Sequence, residues 1–280
     1  MSKVLSFINN KGGVLKTTLT INCASVLAIK GYKVLIIDMD AQGNVGSSFG
    51  QNVEALKYTI YDVIFNEIDF KKVLLNLVIK NDLGGEIDIL PSNSNMIFFE
   101  KTIIKKFLNQ KTDEIYMYKN LINLIQKLKN DYDYIFIDSP PSTSIVMDNI
   151  LFVVDEIFIP IQPEAYSYQG FNRLLLYINR FKQDYGLKTL IKAIIPTMVN
   201  QRTNLHKIMI EQLKKESKKE KIIITKTNIP ISIKQAETIT FFNLPVILNK
   251  PKNVHSKIYF DLCKELNLLK LRTCLKSFRE

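Results

Sequence analysis

The sequence predicts an α/β fold in which a mostly parallel, twisted sheet is flanked by helices on both faces. Three observations carry this. Short, almost continuously apolar runs recur along the chain, as strands buried on both faces require. Longer stretches with helical periodicity separate them. The residues best suited to chemistry each follow directly on such a run, where ligands bind in open parallel sheets.

The elements follow in order. Residues 4–8 form the first buried strand, and 17–30 a helix stopped by Gly31. Residues 34–38 form the second strand. The segment 51–83 has no sustained period and reads as an excursion of short helices. Strands follow at 87–90, 134–138, 157–161 and 190–195, and helices at 116–129, 168–182, 204–218 and 254–270. In the last helix Ile258, Leu262, Leu266 and Leu269 share one face, which reads as core. No repeat or low-complexity linker interrupts this order, so the expected organisation is one domain over 1–280 with a basic C-terminal lobe at 200–280.

Composition narrows the chemistry. The chain has 280 residues, 46% hydrophobic and 23% charged, enough for a sizeable core. It has no run of about 18 uninterrupted apolar residues and no secretory leader pattern, so a cytoplasmic protein is expected. Three cysteines (Cys23, Cys263, Cys274) and two histidines (His206, His255) are too few and scattered for a disulfide framework, a metal cage or a Ser/His/Asp triad. The net charge is +11, and residues 200–280 hold 17 Lys and Arg against 7 Asp and Glu. The first 199 residues are close to neutral, so a general lysine-rich style does not explain the excess. A basic lobe on a balanced scaffold points to a polyanionic partner.

The run Asn9-Asn10-Lys11-Gly12-Gly13-Val14-Leu15-Lys16-Thr17-Thr18 lies between the first strand and the first helix. A strand, a glycine turn and a helix N-terminus aim backbone N–H groups and the helix dipole at an anion. Lys16 would neutralise β- and γ-phosphates and Thr17 would ligate Mg²⁺. Asn10 and Leu15 stand where the ordinary P-loop has glycines. Asp38 and Asp40 follow the second strand within Asp38-Met39-Asp40-Ala41-Gln42-Gly43-Asn44. Carboxylates two apart on a strand share a face and can diverge as the chain leaves the sheet. Asp138 ends the run Asp133-Tyr134-Ile135-Phe136-Ile137-Asp138, ahead of Pro140-Pro141, which stiffen the loop that follows.

These three boxes, in this order, resemble the deviant Walker A motif and its companions in the ParA/MinD family. The resemblance implies a P-loop fold, ATP and Mg²⁺ as cofactors, and a nucleotide site at Lys11, Gly12, Gly13, Val14, Leu15, Lys16, Thr17 and Thr18. It implies that Lys11 reaches across an ATP-dependent homodimer, as an arginine finger does in trans. It further implies that Asp40 positions the attacking water, and that Asp38, Thr17 and Asp138 support the metal. Lys11, Lys16 and Asp40 are then the catalytic residues. Two departures stand out: Ala41 replaces a family proline and Leu15 a family glycine. If position 15 needs a positive φ, leucine costs about 1–2 kcal/mol there and its side chain could crowd the phosphates. Plasmid-partition ATPases of spirochaetes resemble the chain at this point.

The distal half resembles the same family. Thr197-Met198-Val199-Asn200-Gln201-Arg202-Thr203 is similar to a T-M-x-D-x-R-T box, and Ile229-Pro230 opens a second, looser match. By this resemblance Arg202 and Lys234 contact DNA without sequence preference, joined by the lysine run Lys214, Lys215, Lys218, Lys219 and Lys221. Glu211, Glu216 and Glu220 could pair with some of these. With ten residues before Lys11, no sequence-specific DNA domain is expected at the start. The implied activity is a slow, partner-stimulated ATPase that segregates DNA on the nucleoid, and the implied partner is a ParB-like centromere-binding protein. Two alternatives follow from single features. A membrane-cycling ATPase like MinD rests on the basic amphipathic tail 271–280. A scaffold with little hydrolysis rests on Leu15. A membrane is the less expected partner, given the T-M-x-D-x-R-T-like box.

Overall fold

A computed structural model describes residues 2–78, 85–110, 113–200, 202–231, 243–249 and 251–269. Lys234, the tail 271–280, Gln201 and Cys274 lie outside these. The described chain runs β1 (Lys3–Phe7), α1 (Lys16–Ile29), β2 (Lys33–Asp38), α2 (Asn44–Ser48), α3 (Ile60–Phe65), β3 (Leu75–Val78), β4 (Glu86–Leu90) and α4 (Phe99–Gln110). It continues through α5 (Lys119–Leu128), β5 (Tyr134–Asp138), α6 (Ile145–Val153), β6 (Glu156–Ile161), α7 (Ser167–Tyr185) and β7 (Leu190–Pro196). It closes with α8 (Asn204–Lys219), β8 (Ile223–Ile224), α9 (Val246–Asn249) and α10 (Val254–Glu265).

The strands form one 8-stranded sheet in the order β3-β4-β2-β5-β1-β6-β7-β8. All neighbours are parallel except β3 and β4. The central strands are buried on both faces, and alternate residues supply two separate cores. Val4, Leu35, Ile37, Ile135, Ile137, Ile157 and Ile159 face a layer built from α3 to α7. Leu5, Phe7, Val34, Ile36, Phe136 and Phe158 face α1, α9 and α10. α1 is therefore buried on nearly every side, which explains its apolar sequence without a polar stripe.

All six expected strands are present, and β3 and β8 add an edge on each side. The expected helix at 116–129 is shorter: a 3₁₀ turn at Glu114–Met117 precedes α5. The helix expected at 254–270 stops at Glu265 because Asn267 takes φ 56°, and Leu268 N–H then returns to Cys263 O at 3.0 Å, a left-handed closure of the last turn. Within 51–83 the short helices are joined by β3, a strand the pattern did not reveal. α4 and α6 also went unread. α6 (IVMDNILFV) is packed on nearly all sides and so carries no helical period.

Candidate nucleotide-binding site

β1 and β5 lie at the centre of the sheet, and the loops after their C-terminal ends meet. Asn9 fixes the start of the phosphate loop: its Nδ2 donates to Pro160 O at 2.7 Å and its Oδ1 accepts Lys11 N–H at 2.9 Å. Gly13 adopts φ +74°, and Gly12 lies against Pro141 of the loop after β5. Leu15 adopts φ 69° and ψ 28° and caps α1 without a side-chain hydrogen bond. The first N–H groups of α1 are orphan donors, as at any helix start, and no acidic residue occupies its first turn. That combination leaves a positive dipole end facing the loop's concave side.

Leucine at position 15 thus occupies a left-handed backbone, where glycine is preferred. Its side chain packs against the core between the sheet and α1, so burial offsets part of the strain. These two effects can be separated. Leu15→Ala keeps the strain and loses the packing, whereas Leu15→Gly loses both. We expect Leu15→Ala to be the less stable variant by about 1 kcal/mol in urea denaturation. Equal midpoints would show that the loop relaxes around either residue.

Lys16 is 6% exposed, and its Nζ donates to Lys11 O at 3.1 Å. Burial pulls its pKa down, and the charges of Asp138 and Asp40 oppose that shift. Asp138 is wholly buried at the end of β5. Its Oδ2 accepts Thr17 Oγ1–H at 2.6 Å and its Oδ1 accepts Thr20 Oγ1–H at 3.1 Å. Burial pushes its pKa up to about 6, against the two hydroxyl bonds that favour the charged form. Thr18 lies in the first turn of α1, and Val14, just ahead of the helix, is buried.

Asp38 pairs in register with Asp138 across β2 and β5. Burial, and next the charge on Asp138, raise its pKa well above the usual range. Its Oδ1 accepts Asp40 N–H at 3.0 Å and its Oδ2 accepts Val45 N–H at 3.1 Å. Asp38, expected to support the metal, also ties the 38–45 turn to the end of β2. Asp40, 9% exposed, holds Gln42 N–H on Oδ1 at 3.0 Å. Gly43 closes this turn with φ +61°, and a Cβ there would lie 2.7 Å from Ser92 O. Any other residue would be both strained and obstructed.

Asp138 and Asp40 act on the buried Lys16, and Asp38 lies beside Asp138, a crowding of carboxyl groups that a divalent cation would relieve. The oxygen donors Thr17 and Asp138, in contact at the mouth of an anion-binding helix start, fit Mg²⁺ that also takes phosphate oxygens and water. Among the described residues no cluster of three His, Cys, Asp or Glu side chains makes an all-protein cage. Lys11 is half-exposed, and its Nζ contacts Glu164 Oε2 at 2.5 Å and Gln162 Oε1 at 3.3 Å.

Thus Lys11 to Thr18, Asp38, Asp40 and Asp138 converge. Arg202, Lys214, Lys215, Lys218 and Lys219 sit apart from them, on α8 and its entry loop. Arg202 is exposed, in a turn where Asn200 Oδ1 accepts its N–H at 3.1 Å and Asn200 N–H donates to His206 Nδ1 at 3.0 Å. In α8 only Leu213 and Ser217 are buried. Lys214 pairs with Glu211 at 2.6 Å and Lys219 with Glu216 at 2.5 Å, while Lys215 and Lys218 are exposed. Sequence reasoning missed Thr20, Asn9, Gln162 and Glu164. Thr20 was legible, being three residues beyond Thr17 on the same helix face. Glu164 was not, because only the pairing of β1 with β6 brings it to Lys11.

Comparison with known proteins agrees with the family resemblance and with the fold. A family model described as an AAA domain matches residues 2–192. A ParA family protein of Mycoplasma pneumoniae is 32% identical over 275 residues, covering 95% of this chain and 98% of the relative. Among solved structures, a plasmid partition protein of Borrelia burgdorferi B31 bound to AMPPNP superposes with a TM-score of 0.74 at 24% identity, covering 96% of this chain and 99% of that one. Cobyrinic acid a,c-diamide synthase of Mycobacterium smegmatis, bound to an ATP analogue and magnesium, gives a TM-score of 0.76 at 21% identity over 95% of each chain.

Proposed function

Because the chain belongs to the ParA family, we propose that it is an ATP-dependent DNA-segregation ATPase, a single domain whose nucleotide site controls a basic lobe at about 200–280. The observation that carries this reading is the contact of Thr17 with Asp138, 2.6 Å apart, at the open start of α1 beside the buried Lys16. In this reading the α1 N-terminus and Lys16 hold the β- and γ-phosphates of ATP. Thr17 and Asp138 hold Mg²⁺, which when bound supplies charge neutralisation on the phosphate oxygens. Asp40 orients the attacking water, and Asp38 keeps the Asp40 turn in place. Lys11 crosses to the nucleotide of a second copy, so that ATP closes a homodimer.

The dimer then presents two copies of α8 and of Arg202 to the DNA backbone, and hydrolysis releases it. Lys215, Lys218 and Lys234 are the companion contacts, and Lys214 and Lys219 add charge already shared with glutamates. A ParB-like centromere-binding protein stimulates turnover, and the protein works on the nucleoid in the cytoplasm. Among the described residues no helix is long and apolar enough to cross a membrane.

The test is a DNA shift with random duplex in ATP and in ADP. Wild type is expected to bind only with ATP. Arg202→Ala should keep nucleotide binding and dimerisation but weaken DNA binding for all sequences alike. Its log K against log salt should be shallower by about 0.9 for each phosphate left without its arginine, and by about twice that in a dimer. Equal binding in ATP and ADP would remove the switch. An unchanged salt slope in Arg202→Ala would remove that residue from the DNA face.

A further inference from the structure

We infer that Glu164 is a positioning residue that latches Lys11 within its own subunit until a second copy arrives. The inference rests on the proposal that Lys11 acts in trans. Both ends of the latch are anchored by backbone. Lys11 is set by Asn9, which bridges its N–H to Pro160 O on β6. Glu164 is set by Ser167 at the entry to α7: Ser167 Oγ accepts Glu164 N–H at 2.8 Å, and Ser167 N–H donates to Glu164 O at 3.0 Å. Ser167 Oγ–H also donates to Gln162 O, which pins the residue supplying the second acceptor for Lys11. Two long side chains thus meet between fixed stems, over a pocket of about 270 Å³ lined by Asn9, Lys11, Val14, Tyr166 and Phe171.

A lysine so held cannot also compensate charge on another subunit's triphosphate. Each subunit must break its Lys11–Glu164 pair before the dimer closes. The pair is half-exposed, 46% at the lysine and 47% at the glutamate, so its strength is that of a surface ion pair. Breaking one opposes closure by up to about fivefold, and breaking two by up to roughly 30-fold. The latch is strong enough to suppress premature pairing and weak enough for bound ATP to overcome.

Glu164→Gln keeps the side-chain volume and removes the charge. Light scattering of the full-length protein with AMPPNP and Mg²⁺ should show its dimer dissociation constant lowered by about 3- to 30-fold against wild type. Nucleotide affinity measured by calorimetry on dilute monomer should not change. The gap should narrow in about 0.5 M NaCl, where exposed pairs are screened. A dimer no tighter than wild type, or a weaker one, overturns the latch. Lys11→Ala measured alongside separates the two ideas. If wild type pairs, Lys11→Ala does not, and Glu164→Gln matches wild type, only the latch falls. If Lys11→Ala pairs as well as wild type, the trans role of Lys11 falls and the latch with it.

Discussion

Lys11→Ala is expected to lower partner-stimulated ATP turnover by about 10³-fold or more, the scale on which a cation supplied in trans to phosphoryl transfer acts. The nucleotide affinity of the monomer should change little. Lys16, Thr17 and the α1 N-terminus form their half of the site without the Lys11 side chain; Lys16 Nζ bonds only its backbone carbonyl. The substitution leaves Asn9 with its bond to the residue-11 N–H, so the loop conformation is kept. Phosphate release with duplex DNA and partner present gives the rate, and calorimetry on the monomer gives the affinity. A variant that hydrolyses within tenfold of wild type would show that catalysis is complete within one subunit.

Asp40→Asn should slow hydrolysis by about 10²- to 10⁴-fold, the range for losing a residue that directs proton transfer or water attack. Asparagine retains an Oδ1 that can accept Gln42 N–H, so the turn from Asp38 to Val45 keeps its bonds. Nucleotide binding, dimer formation and DNA binding should therefore persist, and the DNA-bound dimer should accumulate. The informative measurement is the lifetime of that complex after ATP is diluted away, compared with its rate of phosphate release. If both equal wild type, Asp40 shapes the turn and the water is oriented elsewhere. The opposite phenotypes of the two variants, one unable to assemble a productive dimer and one unable to leave it, separate assembly from chemistry.

Much of this was legible because the decisive signals are local. The six central strands announce themselves as almost continuously apolar runs, since burial on both faces leaves little polar alternation. The phosphate loop, the Asp38–Asp40 turn and Asp138 each occupy a few consecutive residues whose backbone and side chains act together. The elements that escaped are those whose environment cannot be inferred from neighbours in the chain. α6 looks like an unpatterned apolar run because α5 and α7 cover it. β3 is four residues long and becomes a strand only by pairing with β4.

By itself the sequence determined the six central strands, the order of the three acidic and phosphate-binding boxes, and the concentration of positive charge in the last third of the chain. Tertiary structure decided what those groups do to one another. It gave Leu15 a left-handed backbone supported by core packing, made Asp38 the tie of its own turn, fixed Asp138 between two hydroxyls, and set Glu164 against Lys11. Chain order specifies which strands form, through burial and periodicity. The meeting of side chains 118 to 153 residues apart depends on which strands lie adjacent, and that is settled only when the whole sheet closes over its two cores.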